Sequence, residues 1–248
     1  MTTADYLESL QNDLETLKES LDLQEGTNFS DIAQMADDGE ITKGGGGGGK
    51  NALIDTTLPY DYNNGIRSFL KSIDLIDTSS LTTMRGMFKG CTGLTSVPLF
   101  DTSAVKSMQE VFMGCSGLTE IPLFNTSSAT SFTSTFQDCT SITTAPQLNT
   151  AKVTTFSLTF SGCTALTTVP VLSTAACTNL YLTFNDCPNL TDASINNIMT
   201  MCINASKYKG TKTLFQLGFR PENYTAAKIQ ALDNYQDFVN AGWTIGYS

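Results

Sequence analysis

Between residues 66 and 190 the alternation of apolar and polar positions repeats every 24 residues, with no insertion or deletion. Phenylalanine recurs at Phe88, Phe112, Phe136, Phe160 and Phe184, and cysteine follows three positions later at Cys91, Cys115, Cys139, Cys163 and Cys187. The same register then gives Leu94, Leu118, Ile142, Leu166 and Leu190, followed by Val97, Ile121, Ala145 and Val169. Prolines stand next, at Pro98, Pro122, Pro146 and Pro170, ahead of Phe100, Phe124, Leu148 and Leu172. Asp101, Asn125, Asn149 and Ser173, each followed by threonine, complete the unit with a turn signal. A coil of this length cannot bury its own apolar side, but stacked coils set each column over itself as one continuous core. A step of 24 backwards reaches Leu70, Ile73, Ile76, Asp77 and Thr78, so a degenerate opening coil is expected from about Ile66.

The alternation predicts a strand over 94–97 and its equivalents, ended by the proline, which has no N–H to give to a ladder. Adjacent coils would pair as parallel strands about 4.8 Å apart. Two further columns, Leu81, Val105, Ala129, Val153, Cys177 and Met84, Met108, Phe132, Phe156, Leu180, line the opposite wall, as short helix or irregular turn.

The two ends carry other patterns. Leu7, Leu10, Leu14, Leu17 and Leu21 alternate by three and four, the seam of a coiled coil or the apolar face of a helix docked on its own domain. Residues 1–25 are read as an oligomerising or anchoring helix, 26–50 as an acidic linker ending in six glycines, and 51–65 as the lead-in to the array of 66–190. Residues 191–248 are read as a terminal α/β cap over the last coil. Its expected parts are a helix with Ile195, Ile198, Met199, Cys202 and Ile203 on one face and a strand over 212–217. A second helix with Ile229, Leu232, Phe238 and Val239 follows, stopped by Gly242, then a strand over 243–247.

Composition narrows the chemistry. The chain of 248 residues has no histidine, the commonest general base and zinc ligand, and its net charge is -10. Residues 1–43 hold eleven acids and two bases, so the remainder is close to neutral and no basic face for nucleic acid is expected. Residues 1–10 carry acids and no apolar run, which argues against a secretory signal, and no membrane span is expected. The glycine run before Lys50 mimics a phosphate-binding loop, but Asn51 replaces the required hydroxyl and no apolar strand precedes it. Seven cysteines fall on apolar positions with no close CxxC pair, which favours buried free thiols over zinc. The column of Asp77, Asp101, Asn125 and Asn149 suits side chains that fix turns better than a calcium site. Catalytic, metal and cofactor sites are therefore expected to be absent.

The recurring pattern, as in Phe112, Gly114, Cys115, Leu118, Thr119, Ile121, Pro122, Phe124, Asn125, Thr126 and Ser127, is similar to BspA-like leucine-rich repeats. That resemblance implies a leucine-rich-repeat solenoid on a parallel sheet, with an N-terminal helix or coiled coil and a C-terminal α/β cap. It also implies adhesion rather than catalysis. The layout, a leucine-seamed helix, acidic linker, glycine run and recognition module, resembles virion-associated proteins of phages and prophages. The expected partners are other virion proteins, the chain itself as a homo-oligomer with a trimer favoured, and a host surface glycan or protein. The alternative is a bacterial cell-surface adhesin, and a purely structural particle component is a third reading. The candidate binding face is Thr95, Ser96, Thr119, Glu120, Thr143, Thr144, Thr167 and Thr168, whose short hydroxyl side chains are cheap to order but equally serve to keep a sheet soluble.

Overall fold

The computed structural model describes residue 78 and residues 81–246. Within them the 24-residue step is a physical stack. The rings of Phe88, Phe112, Phe136, Phe160 and Phe184 lie one over the next, 5.4–5.8 Å between centroids and within 4–16° of parallel. Phe100 and Phe124 form a second stack beside the first. The leucine, cysteine and opposite-wall columns are all buried, so the core is continuous along the coils.

The expected parallel sheet is not there. The described residues contain no strand; the β-pairing between coils is confined to isolated parallel bridges, which run Thr83, Ser107, Ser131, Thr155, Asn179 down one column and join Thr144 to Thr168 on the other side. A leucine-rich-repeat solenoid built on a parallel sheet is therefore not the architecture of the described residues. The reason lies in how the backbone divides its amides. The N–H groups of Met84, Gly86, Phe88 and Gly90 donate to the carbonyls of Ser107, Gln109, Val111 and Met113 in the next coil at 2.7–3.1 Å. The intervening N–H groups of Met87, Lys89 and Cys91 turn back to the carbonyls of Met84, Gly86 and Phe88. Alternate amides thus bond between coils and within the coil, giving linked reverse turns that satisfy the backbone without extended chain.

Such turns require positive φ at every fourth residue. Gly86, Gly90, Gly114 and Gly162 supply it easily, and Glu110, Ser134, Asp138, Leu158, Leu182 and Asp186 adopt it at φ 50–59°. On the face predicted as strand, the extended stretch is too short to ladder. Leu94 N–H closes a turn onto Cys91, the proline removes the donor at 98, and the Thr143 carbonyl alone accepts from both Thr167 and Thr168.

Side chains reinforce the stacking. The hydroxyls of the buried Thr78, Thr102, Thr126, Thr150 and Thr174 each donate to a carbonyl one layer on, those of Asp101, Asn125, Asn149, Ser173 and Met201, at 2.5–2.9 Å. The thiols of Cys115, Cys139, Cys163 and Cys187 donate to the carbonyls of Phe88, Phe112, Phe136 and Phe160 at 3.0–3.1 Å.

The cap takes over where a sixth coil would lie. Helix α1, Asp192–Asn204, starts at Thr191, whose hydroxyl accepts from the Ser194 amide, and it buries Ile195, Ile198, Met199 and Cys202 as expected, while Ile203, expected on the same face, is only partly buried. Ser194, Asn197 and Met201 on α1 bond to the ends of the last coils at Thr167, Val169 and Thr174. The two cap strands and the single second helix are corrected. Phe215–Leu217 is a 3-10 helix, and the predicted strands, though joined by three backbone hydrogen bonds, form a single isolated bridge, Thr213 to Thr244, so the cap is not an α/β unit within the described residues. The second helix is broken into α2, Ala226–Gln230, and α3, Tyr235–Asn240, and Val239 points to solvent. Gly242 ends α3 with φ 84°. The 3-10 helix continues the turn ladder: Leu182 and Phe184 N–H donate to Gln216 and Leu217 carbonyls, both at 2.9 Å, and Phe219 packs edge-on to Phe184. Gly218 allows this approach, since a Cβ there would lie 2.3 Å from the Asn185 nitrogen.

Candidate binding surface

The stacking brings the eight face residues into two adjacent columns. Thr95, Ser96, Thr119, Glu120, Thr143, Thr144 and Thr168 are exposed and Thr167 is half-buried. Their backbones are held in register by Thr119 N–H to the Thr95 carbonyl, Thr167 N–H to Thr143 and Thr191 N–H to Thr167, at 2.9–3.2 Å. The hydroxyls follow the backbone. Thr119 donates to the Thr95 carbonyl at 3.2 Å, Thr167 to Thr143 at 3.0 Å and Thr191 to Thr167 at 3.2 Å. These hydroxyl protons are spent between coils, which fixes the rotamers and leaves the oxygens as outward acceptors. A second column, Thr130, Thr154 and Thr178, repeats the arrangement around the coil. The surface can accept hydrogen bonds from a ligand's hydroxyls or amides; its one carboxylate is that of Glu120.

Beside this face runs an apolar ridge that the repeat columns contain but the sequence reading did not single out. Leu99 and Leu123 are 68% and 66% exposed and Val171 39%, interrupted by Gln147, whose side-chain amide donates to the Val171 carbonyl. A further departure from the repeat, an exposed Tyr181 in a column otherwise held by Arg85, Gln109, Thr133 and Ser157, was legible in the sequence and not noticed.

Other polar groups have structural partners. Oδ1 of Asp101, Asn125 and Asn149 accepts from the backbone N–H two residues on at 3.0–3.2 Å, the turn geometry expected for that column; Asp77 lies outside the described residues. Glu110 accepts from Lys89 Nζ at 2.8 Å with Arg85 at 3.8 Å, and the Lys89 hydrogen bond holds its carboxyl below the usual range. All seven cysteines are free and buried. Burial pushes Cys139 and Cys187 up to about 12 and Cys177 to about 11, so these three thiols stay protonated. Among the described residues no three Cys, Asp or Glu side chains converge to hold a metal ion. The seam Leu7, Leu10, Leu14, Leu17 and Leu21 lies outside the described residues.

Residues 60–172 match a family model described as Mycoplasma protein of unknown function, DUF285. That family is associated with BspA-like repeat proteins, so the resemblance drawn from the repeat motif holds at this coarser level. The matched stretch begins ahead of the first described coil and ends at Leu172 in the fourth. The match assigns no ligand and no reaction. No curated protein matches the chain. None of the helices among the described residues is long and apolar enough to cross a membrane.

Proposed function

We propose that the chain is a non-enzymatic recognition protein in which the rigid stack of coils presents the column of Thr95, Thr119, Thr143 and Thr167 with its neighbours Ser96, Glu120, Thr144 and Thr168 to a surface ligand. The observation that carries this reading is the stacked column of outward hydroxyls, two of which, those of Thr119 and Thr167, are ordered in advance by hydrogen bonds into the coil backbone and so lose little side-chain entropy on binding. Each contact is weak, and several copies held together would raise the apparent affinity, which is the role assigned to the leucine seam of residues 1–25. The particle is a phage or prophage virion, with the chain bound to other virion proteins and to itself as a trimer, and the ligand is a glycan or protein of the host surface. A second reading, a bacterial cell-surface adhesin, is favoured by the family description, which names a bacterium.

The test is binding of the labelled full chain to intact bacterial cells, compared with a Thr143→Arg, Thr167→Arg variant that crowds the column without touching the core. Loss of cell binding with an unchanged melting temperature supports the face; equal binding removes it. Light scattering on the full chain and on Leu14→Asp tests the seam, and a monomer in both ends the multivalent reading.

A further inference from the structure

One surface of the coil stack carries cations and no carboxylate, although the chain as a whole has a net charge of -10. Residues 81–85, 103–109, 127–133, 151–157 and 175–181 are the same stretch of successive coils, and they contain no Asp or Glu; their charges are Arg85, Lys106 and Lys152. The cap segment 204–213 has no acid either and adds Lys207, Lys209 and Lys212. A line of backbone hydrogen bonds runs through this surface. The N–H groups of Lys106, Thr130, Thr154 and Thr178 donate to the carbonyls of Thr82, Lys106, Thr130 and Thr154, each at 2.8 Å, and Lys209 N–H reaches the Thr178 carbonyl at 3.5 Å. Lys209 therefore takes the place of the next rung, and the row Lys106, Thr130, Thr154, Thr178, Lys209 is threonine bracketed by lysine. The bridges of the adjoining column, from Ser107 through Ser131 and Thr155 to Asn179, keep the row in register.

Lys152 and Lys207 stand beside the row, each two residues ahead of a rung, with the buried Val153 or Tyr208 between. Cations thus recur at every second layer, at Lys106, at Lys152 and at Lys207 with Lys209, about 10 Å apart at the spacing of paired chains. These four lysines are exposed, and the ion pairs among the described residues, Arg85 and Lys89 with Glu110 and Lys228 with Asp192, engage none of them. Between the cations, the hydroxyls of Thr130, Thr154 and Thr178 each donate to the carbonyl of the preceding rung at 3.0–3.1 Å, so their oxygens remain as acceptors.

We infer that this row binds an anionic polyol polymer, a chain whose charges are separated by hydroxyl-bearing carbons. The lysine ammoniums only donate and call for anions, whereas the threonine oxygens between them have spent their protons and call for donors. A partner that alternates anion and hydroxyl satisfies both, on a surface whose backbone is ordered before binding. The anion is a sugar carboxylate or a phosphodiester between polyols, either of which suits the point charge of lysine. The inference goes beyond the recognition reading, whose Thr95 column is a different face of the coil and has Glu120 as its charge.

Fluorescence anisotropy of labelled poly(glycerol phosphate) and polygalacturonate with the full chain tests this across a salt series, beside dextran, polyglutamate and single-stranded DNA. At least one of the two anionic polyols should bind, more weakly as salt rises, and the tighter one identifies the anion. Dextran has hydroxyls without charge and polyglutamate charge without hydroxyls, so each should bind about tenfold more weakly or worse. Lys152→Gln should weaken binding about threefold, and the triple variant Lys106→Gln, Lys152→Gln, Lys209→Gln about tenfold or more, at the wild-type melting temperature because these side chains are exposed. Lys228→Gln, an equal charge change outside the row, should leave binding unchanged. No binding of either anionic polyol, equal or tighter binding of polyglutamate or DNA, or a triple variant that binds like wild type overturns the inference. Cell binding kept in the triple variant but lost in the Thr143→Arg, Thr167→Arg variant leaves the recognition reading standing while the polymer titration decides this row.

Discussion

Replacing Phe136 by alanine removes the central ring of the aromatic stack. The side chain is fully buried and lies between Phe112, 5.8 Å away and 4° from parallel, and Phe160, at 5.4 Å and 15°. Deleting a buried phenylalanine typically costs 3–5 kcal/mol, through lost transfer energy and the cavity that remains. Collapse of the cavity is hindered here because the backbones of the neighbouring Phe112 and Phe160 are fixed by their inter-coil bonds to the Thr135 and Thr183 carbonyls. A loss of about 4 kcal/mol is therefore expected, a large part of a typical domain's 5–15 kcal/mol. Urea unfolding measures it. Circular dichroism follows the whole chain, and fluorescence of Trp243, the only tryptophan and buried in the cap, follows the other end. Because the cap continues the turn ladder at Leu182 and Phe184, both signals should shift together. Leu123→Ala, at a side chain 66% exposed, serves as control and should cost under about 1 kcal/mol. If Phe136→Ala lost no more than this control, the stacked core would not be what holds the coils together.

Thr126→Val keeps the shape but leaves the Asn149 carbonyl without its buried donor, so a loss of about 1–2 kcal/mol in the same unfolding assay is expected, with Thr126→Ser much milder. Gly114→Ala should cost about 1 kcal/mol from its φ of 76° alone, whereas Gly218→Ala should cost more, because its Cβ would also meet the Asn185 backbone nitrogen; equal losses would contradict the close approach. With Cys139 and Cys187 pushed up to about 12, on the order of one thiol in ten thousand is ionised at pH 8, so a thiol reagent should label the native chain only as fast as it unfolds. Rapid labelling of any of the seven would show an opening that the buried column does not permit. The Glu110 carboxyl is held low, so its contribution is present above the ordinary carboxylate range and is lost as pH falls through the depressed value. Glu110→Gln should leave stability flatter across that acid window, by under about 1 kcal/mol given its partial exposure, and a steeper acid loss in the variant would refute the assignment.

The sequence by itself determined the period, the columns and what is inside. Phenylalanine, cysteine and leucine at constant spacing admit one arrangement in which every layer buries the last, and the described coils obey it from Leu81 to Leu190. The turn role of Asp101, Asn125 and Asn149 was legible too, because short side chains bond locally whatever the surrounding fold. Only the tertiary structure decided the backbone between the columns. A pair of apolar residues at 94 and 97 reads equally well as strand or turn, and the choice fell to the opposite wall, where alternate amides bond within and between layers and leave no room for extended chain. The sequence did contain a hint of this in Gly90, Gly114 and Gly162, but Leu158 and Leu182 reach the same positive φ, and only the stack enforces that. The surface divides the same way. Composition placed the threonines outside, yet the direction of the Thr119 and Thr167 hydroxyl protons, into the neighbouring layer, comes from contacts 24 residues apart in sequence, which no local pattern can encode.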